Sequence, residues 1–258
     1  MAKALTFPEL LMRTARQKID AAKARNATDG GAEKPKEVIL AACKAIADHL
    51  VEDGFAFRKS GPDLIRKAGD LTFRIHFQSD RNNVAGRRAA IWIHAVASSD
   101  HLAEWRLAHP LPWNGAGKAS LGMISGGQIG NLLHHPKWME WDFANPHKRQ
   151  HRINDAAATI RAIILPFFAL FDRPALAVDT LLQRPALRQT SIIEYAFAML
   201  GRDAAMAAMH DYLAANPVIQ SRYKTALAHA RSHGPAHHAG DMAQELAAIT
   251  LLHRLDQP

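Results

Sequence analysis

The chain has 258 residues, 48% hydrophobic and 22% charged, with 32 Lys and Arg against 24 Asp and Glu and a single cysteine. That length buries a sizeable core without cross-links, and one cysteine excludes an intrachain disulfide or a Cys-built zinc cage. The net charge of +8 favours encounter with acidic partners, either nucleic acid or an acidic protein surface, although the basic residues are scattered rather than blocked.

The first 25 residues carry charge throughout, which argues against a secretion signal. No apolar run approaches the roughly 18 residues of a membrane-spanning helix. The expected location is therefore the cytoplasm, with no membrane partner. Thr6-Phe7-Pro8-Glu9 has the form of a capping box with proline in the first turn, predicting a helix to about Arg25. NATDGGAEK then reads as a linker. Pro35 opens a second helix with Val38, Ile39, Ala42, Cys43, Ile46 and Leu50 on its buried side, and Asp53-Gly54 stops it. Cys43 reads as a small buried thiol, not a nucleophile.

Strands follow. FAFRK and DLIRK flank the turn residues Ser60-Gly61-Pro62, and Ala68-Gly69-Asp70 makes the next turn. From Leu71 to Ser79 the residues alternate: Leu71, Phe73, Ile75 and Phe77 on one side, Thr72, Arg74, His76 and Gln78 on the other. AAIWIHAVAS alternates again, with Trp92, His94 and Val96 opposite Ile91, Ile93 and Ala95. KASLGMIS and WMEWDF are further strand candidates. The connections are too short for parallel crossovers, which predicts an antiparallel meander.

From about Asn154 the pattern turns helical. Pro166 is expected to kink or split the first of these helices, and Asp172 and Pro174 start another. Ser191-Ile192-Ile193-Glu194 forms a second capping box, and Gly201 ends that helix. Asp203 begins the next, and Asn216-Pro217 stops it. Helices over 217–232 and 241–255 complete the chain. LGRDAAMAAMHDYLAANP has the look of one tetratricopeptide-type hairpin, but no second copy recurs at a fixed period.

Several stretches between Val38 and Leu182 carry a likeness: an opening helix, the run DGFAFRKSGPDLIRKAGDLTFRIHFQSDRNN with its Gly54-Phe55 and Phe77-Gln78 pairs, GQIGNLLHHPKWMEWDF, and the helix containing LPFFALFD. Together they resemble an uncharacterised bacterial domain-of-unknown-function family. The resemblance implies an α+β fold and a bacterial origin, and it brings no catalytic residues with it. Domains of this sort look like accessory or immunity modules encoded near toxins, which is an analogy of fold, not of site.

The polar strand face is the first candidate site. If the two long strands are neighbours, Arg74, His76 and Gln78 lie beside Trp92 and His94, a surface suited to an anion, a nucleotide base or an acidic loop. The plainer reading is a solvated sheet face, or one covered by the last helices. WNGAGKAS looks like the end of a phosphate loop, but Pro112 stands where the first glycine belongs and Ala119 follows Lys118, so no hydroxyl can hold magnesium. SGGQIGN can open a short helix whose amides attract an anion, or make an ordinary turn.

Histidines four apart share a helix face: His147 with His151, and His229 with His233. His229, His233, His237 and His238 are the metal-ligating candidates, although exposed histidines without a glutamate base form an unspecific motif. There is no Gly-x-Ser-x-Gly turn, and nothing opposes Asp100, Glu104 or Asp142 as a carboxylate pair. Trp105, Trp113, Trp138 and Trp141 gather between the strands and the helices, where such rings seam core layers or mark an interface.

The sequence thus predicts an α+β protein: an antiparallel meander sheet packed by N-terminal helices, with a C-terminal helical bundle. Residues 1–30 form an N-terminal helix and linker, 35–150 the sheet domain, and 151–258 a helical part packed on the same core. The expected function is that of a non-catalytic cytoplasmic binding protein, in its most specific form an immunity protein that neutralises a toxin. It needs no cofactor or metal, and its contacts are Arg74, His76, Gln78, Arg81, Trp92 and His94. The alternatives are a nucleic-acid-binding accessory protein that uses its positive charge on phosphates, and a metalloenzyme built on the C-terminal histidines.

Overall fold

The computed structural model describes residues 32–58, 60–113, 118–235 and 240–256. The helix and most of the linker expected before Glu33 lie outside the described residues.

Helix α1 (Pro35–His49) opens with proline at its first position and buries the stripe read from its periodicity, Val38 to Ala47. Gly54, at φ +82°, then turns the chain toward the sheet. The strands are β1 (Ala56–Arg58), β2 (Asp63–Ala68), β3 (Leu71–Ser79), β4 (Ala90–Ser99), β5 (Met123–Gln128) and β6 (Trp141–Asp142). They form one antiparallel sheet in the order β1-β2-β3-β4-β5. β6 pairs with the start of β4 on the edge that β5 occupies further along. The hairpin between β2 and β3 needs only Gly69 and Asp70, with Gly69 at φ +62°, the conformation that a two-residue turn demands of its first residue.

One face of this sheet is the floor of the core. Phe73 stacks on Phe168 at 4.7 Å, and Phe55 and Phe171 flank the pair. Phe168 and Phe171 come from the run Pro146–Asp172. It comprises α4 (Pro146–Thr159), a π turn over Ile160–Ile164, α5 (Leu165–Ala169) and a final 3-10 turn. By length and composition this run is the one described helix long and apolar enough to cross a membrane. Here Ile153, Ile160, Ile164 and Phe168 are buried in the core, and Arg161 reaches Asp53 at 2.9 Å.

The remaining helices are α2 (Asp100–Ala108), α3 (Lys118–Leu121), α6 (Pro174–Gln183), α7 (Ser191–Leu200), α8 (Arg202–Ala214), α9 (Pro217–His233) and α10 (Met242–Leu252). A single hydrophobic cluster runs from Val38 through the strands to Leu255, so the sheet and the later helices share one core. Only α9 and α10 add a small cluster of their own, built on Leu227, Ala230 and Ala247.

The departures from the sequence reading have local causes. The first late helix starts at Pro146, eight residues early, because the Asn145 side chain accepts from the amides of His147 and Lys148. Pro166 does not split its helix; the π turn just before it absorbs the missing amide. Helix α2 was not anticipated: the strand pattern runs up to Ser99, whose hydroxyl caps the Leu102 amide at 3.0 Å. Of KASLGMIS only Met123 onward is strand, and of WMEWDF only Trp141 and Asp142. The capping box at Ser191 does not form. The cap position falls on Thr190, Ser191 bonds the Ile124 carbonyl, and Glu194 is drawn into a buried ion pair.

Candidate functional site

The second face of the sheet is built by register. In an antiparallel pair, directly opposed residues point to the same side. Asp63 opposes His76, His76 opposes His94, and His94 opposes Gln128, so these four side chains form one row across β2 to β5. The row beside it holds Ile65, Arg74, Val96 and Gly126. On the other side Gln78 opposes Trp92. The neighbours expected from alternation alone, Arg74, His76 and Gln78 with Trp92 and His94, are therefore together on one face. Arg81 stands apart, exposed in the turn after β3.

Within the central row, His76 Nδ1 and Asp63 Oδ1 lie 2.7 Å apart, and the His76 and His94 rings are 6.3 Å apart. Burial holds the His94 imidazole below its ordinary value, and the neighbouring His76 adds to that effect. Gln128 is buried and used up structurally: its Oε1 accepts from the Gly130 amide at 2.7 Å and its Nε2 donates to the Met139 carbonyl. Those two bonds fold residues 129–139 back against the sheet end. Gly130 is essential to that fold, because a Cβ there would lie 1.6 Å from the Lys137 carbonyl oxygen.

The returning segment sets Trp138 edge-on against Trp92, with centroids 4.9 Å apart, while leaving Trp138 60% exposed. Trp92 Nε1 and His94 Nε2 are shielded from solvent yet have no hydrogen-bond partner among the described residues. Around them, Arg58, Lys67 and Arg74 are exposed on the same face, which also carries two carboxylates, Asp63, engaged by His76, and Asp142, which accepts from the Ala89 and Ala144 amides. The result is a cationic surface with an aromatic ridge at one end. The chemistry it offers is recognition: guanidinium and ammonium groups for carboxylates or phosphates, and a large exposed ring for stacking or apolar burial.

Sequence reasoning missed Asp63 and Gln128, and it marked Trp138 as a core seam or interface ring without placing it on this face. The signal for Asp63 was present, since DLIRK reads as a strand and the Gly69 turn fixes its register on β3. Gln128 needed the β4–β5 register, and Trp138 arrives through the Gly130–Lys137 contact, which leaves no periodic trace.

The other candidates are dispersed. His147 and His151 are exposed on α4. His229 and His233 stack on α9 at 4.5 Å, while His237 and His238 lie outside the described residues. Among the described residues no three His, Cys, Asp or Glu side chains converge as metal ligands. Residues 114–117 of the loop once compared with a phosphate loop also lie outside the described residues. Of SGGQIGN, Ser125 to Gln128 end β5 and only Ile129 onward enters a 3-10 turn, Ile129–Leu132, with the Gly130 amide already taken by Gln128. Cys43 is buried, and burial pushes its thiol up to about 12. Of the tryptophans, Trp141 is in the core, Trp105 and Trp113 are partly buried against it, and Trp138 is on the surface. No family model matches the chain, and neither does any curated protein or solved structure.

Proposed function

We propose that this protein is a non-catalytic binding protein that docks an acidic partner protein on its open sheet face, and that the partner in the most specific case is a toxin it neutralises. The observation that carries the reading is the Arg58–Lys67–Arg74 surface beside the Trp92–Trp138 ridge. Binding energy at protein interfaces concentrates in Trp and Arg side chains near the centre of the contact, and charge complementarity speeds the encounter. Two shielded polar atoms without partners, Trp92 Nε1 and His94 Nε2, mark the same patch as unfinished in the free protein. The immunity form rests further on the resemblance of residues 38–182 to accessory modules.

Calorimetry of the full chain with a candidate acidic toxin tests this. Arg74→Glu is expected to weaken binding by about tenfold or more, mainly by slowing association, and Trp138→Ala by a similar factor through faster dissociation. Unchanged affinity in both variants removes this face from the account.

A second reading is favoured by one observation, the exposed indole of Trp138 on a basic surface, which is the arrangement that stacks an unpaired base. Titration of a labelled single-stranded oligothymidine decides it. Affinity that falls steeply with salt and is lost in Trp138→Ala supports nucleic acid, whereas absence of binding at low salt excludes it.

A further inference from the structure

Away from the docking residues, a cavity of about 530 Å3 opens where α2, α7 and α10 meet the start of β5. Its volume suits a small molecule. Its walls combine a charged corner, Arg106 and Glu194, a second carboxylate, Glu245, and apolar surface from Leu111, Trp113 and Ile249.

Arg106 is 95% buried by its surroundings, with 5% of its surface left. Its Nε donates to Glu194 Oε2 at 2.9 Å, and its Nη1 donates to the carbonyls of Leu121 and Met123 at 2.6 and 2.9 Å. Nη2 makes no such bond. The Arg106 side chain lines the cavity. A buried guanidinium is costly unless every edge is satisfied. This one is locked in place by three bonds, and among the described residues the two N–H donors of Nη2 have no partner, on a side chain that lines the cavity.

Glu245 is the complementary group. Its Oε2 accepts from Thr190 Oγ1 at 2.8 Å, which fixes the carboxylate, and it has no ion-pair partner among the described residues. Glu194 already offsets Arg106, so among the described residues that line the cavity Glu245 is the carboxylate left without a cation. The complement of these walls has an acceptor for Arg106 Nη2, a cation for Glu245 and an apolar body for the Leu111–Trp113–Ile249 side. We propose that the cavity binds a free α-amino acid with an apolar side chain, carboxylate on Arg106 and ammonium on Glu245. Such a ligand supplies a partner to each charged wall, and a molecule lacking either end leaves one of the two charges unpaired.

The test is calorimetry of the full chain with L-leucine, N-acetyl-L-leucine, L-leucinamide and leucyl-glycine. Leucine is expected to bind, with each end-blocked compound and the dipeptide at least tenfold weaker. Glu245→Gln keeps the volume and the acceptor for Thr190, and it is expected to weaken leucine at least tenfold with its melting midpoint held near that of the parent. The proposal is overturned if leucine, methionine and phenylalanine all fail to bind at millimolar concentration, if a blocked compound or the dipeptide binds as tightly as leucine, or if Glu245→Gln binds leucine unchanged. None of these readouts touches the sheet face, so the docking reading stands or falls separately.

Discussion

His94 links burial to pH behaviour. Its imidazole is held below the ordinary value of 6.5, first by burial and second by the charge of His76. The groups around it are Asp63 from β2, Arg74 and His76 from β3, and the neutral Gln128 from β5. An unfolded chain takes up a proton at this histidine more readily than the folded one, so its contribution to stability is complete above about 6.5 and is lost as pH falls below that value. Urea midpoints measured from pH 7.5 to 5 are expected to fall less steeply in His94→Gln than in the parent; equal slopes would mean that His94 is not the titrating group. At this scale the sequence was informative, since alternation sorts Arg74, His76 and Gln78 to one side of their strand and Trp92 and His94 to one side of theirs, and the β3–β4 pairing brings the two sets onto one face. It was silent on partners. The Asp63–His76 contact and the shielding of His94 depend on register and on a chain segment more than thirty residues away.

At the scale of elements, the 129–139 return is the device that completes the face. It hangs on Gly130, whose missing side chain lets the Lys137 carbonyl approach, and on Gln128, which bonds both ends of the loop. Gly130→Ala is expected to destabilise the protein by about 1–3 kcal/mol, as overpacked positions do. It should also release Trp138 from Trp92, giving red-shifted emission; a variant with parental stability and spectrum would show that the segment is not pinned there. The sequence offered SGGQIGN as a helix start, and a turn of 3-10 helix is what forms. Local pattern identifies a turn but not the distant carbonyl that occupies it. The same limit explains α2, where a capping serine ends one element and begins another without a break in the apolar pattern.

For the whole molecule, the order of strands first and helices later was legible from the switch in period read near Asn154, eight residues late, and the strong meander signal came from short connections. The fastening of the two parts was not. Arg106 and Glu194 are 88 residues apart in sequence and meet in the core at 2.9 Å. Glu194→Leu is expected to cost about 3–5 kcal/mol in urea unfolding, because Arg106 stays charged in the interior with its partner gone. The double variant Arg106→Met with Glu194→Leu should recover a large part of that loss. A single variant close to the parent would indicate that the pair is not a fastening at all.

The two borders of the sheet have a consequence for how this protein behaves when crowded. One border is β1, three residues ending in an exposed arginine; the other is divided between six residues of β5, interrupted by a register shift near Ala97, and two of β6. Ribbon-like growth from copy to copy needs a long, flat, unpaired rim to lay the next strand upon. Neither rim here supplies one, so a broad sheet can keep one face bare without recruiting its own kind.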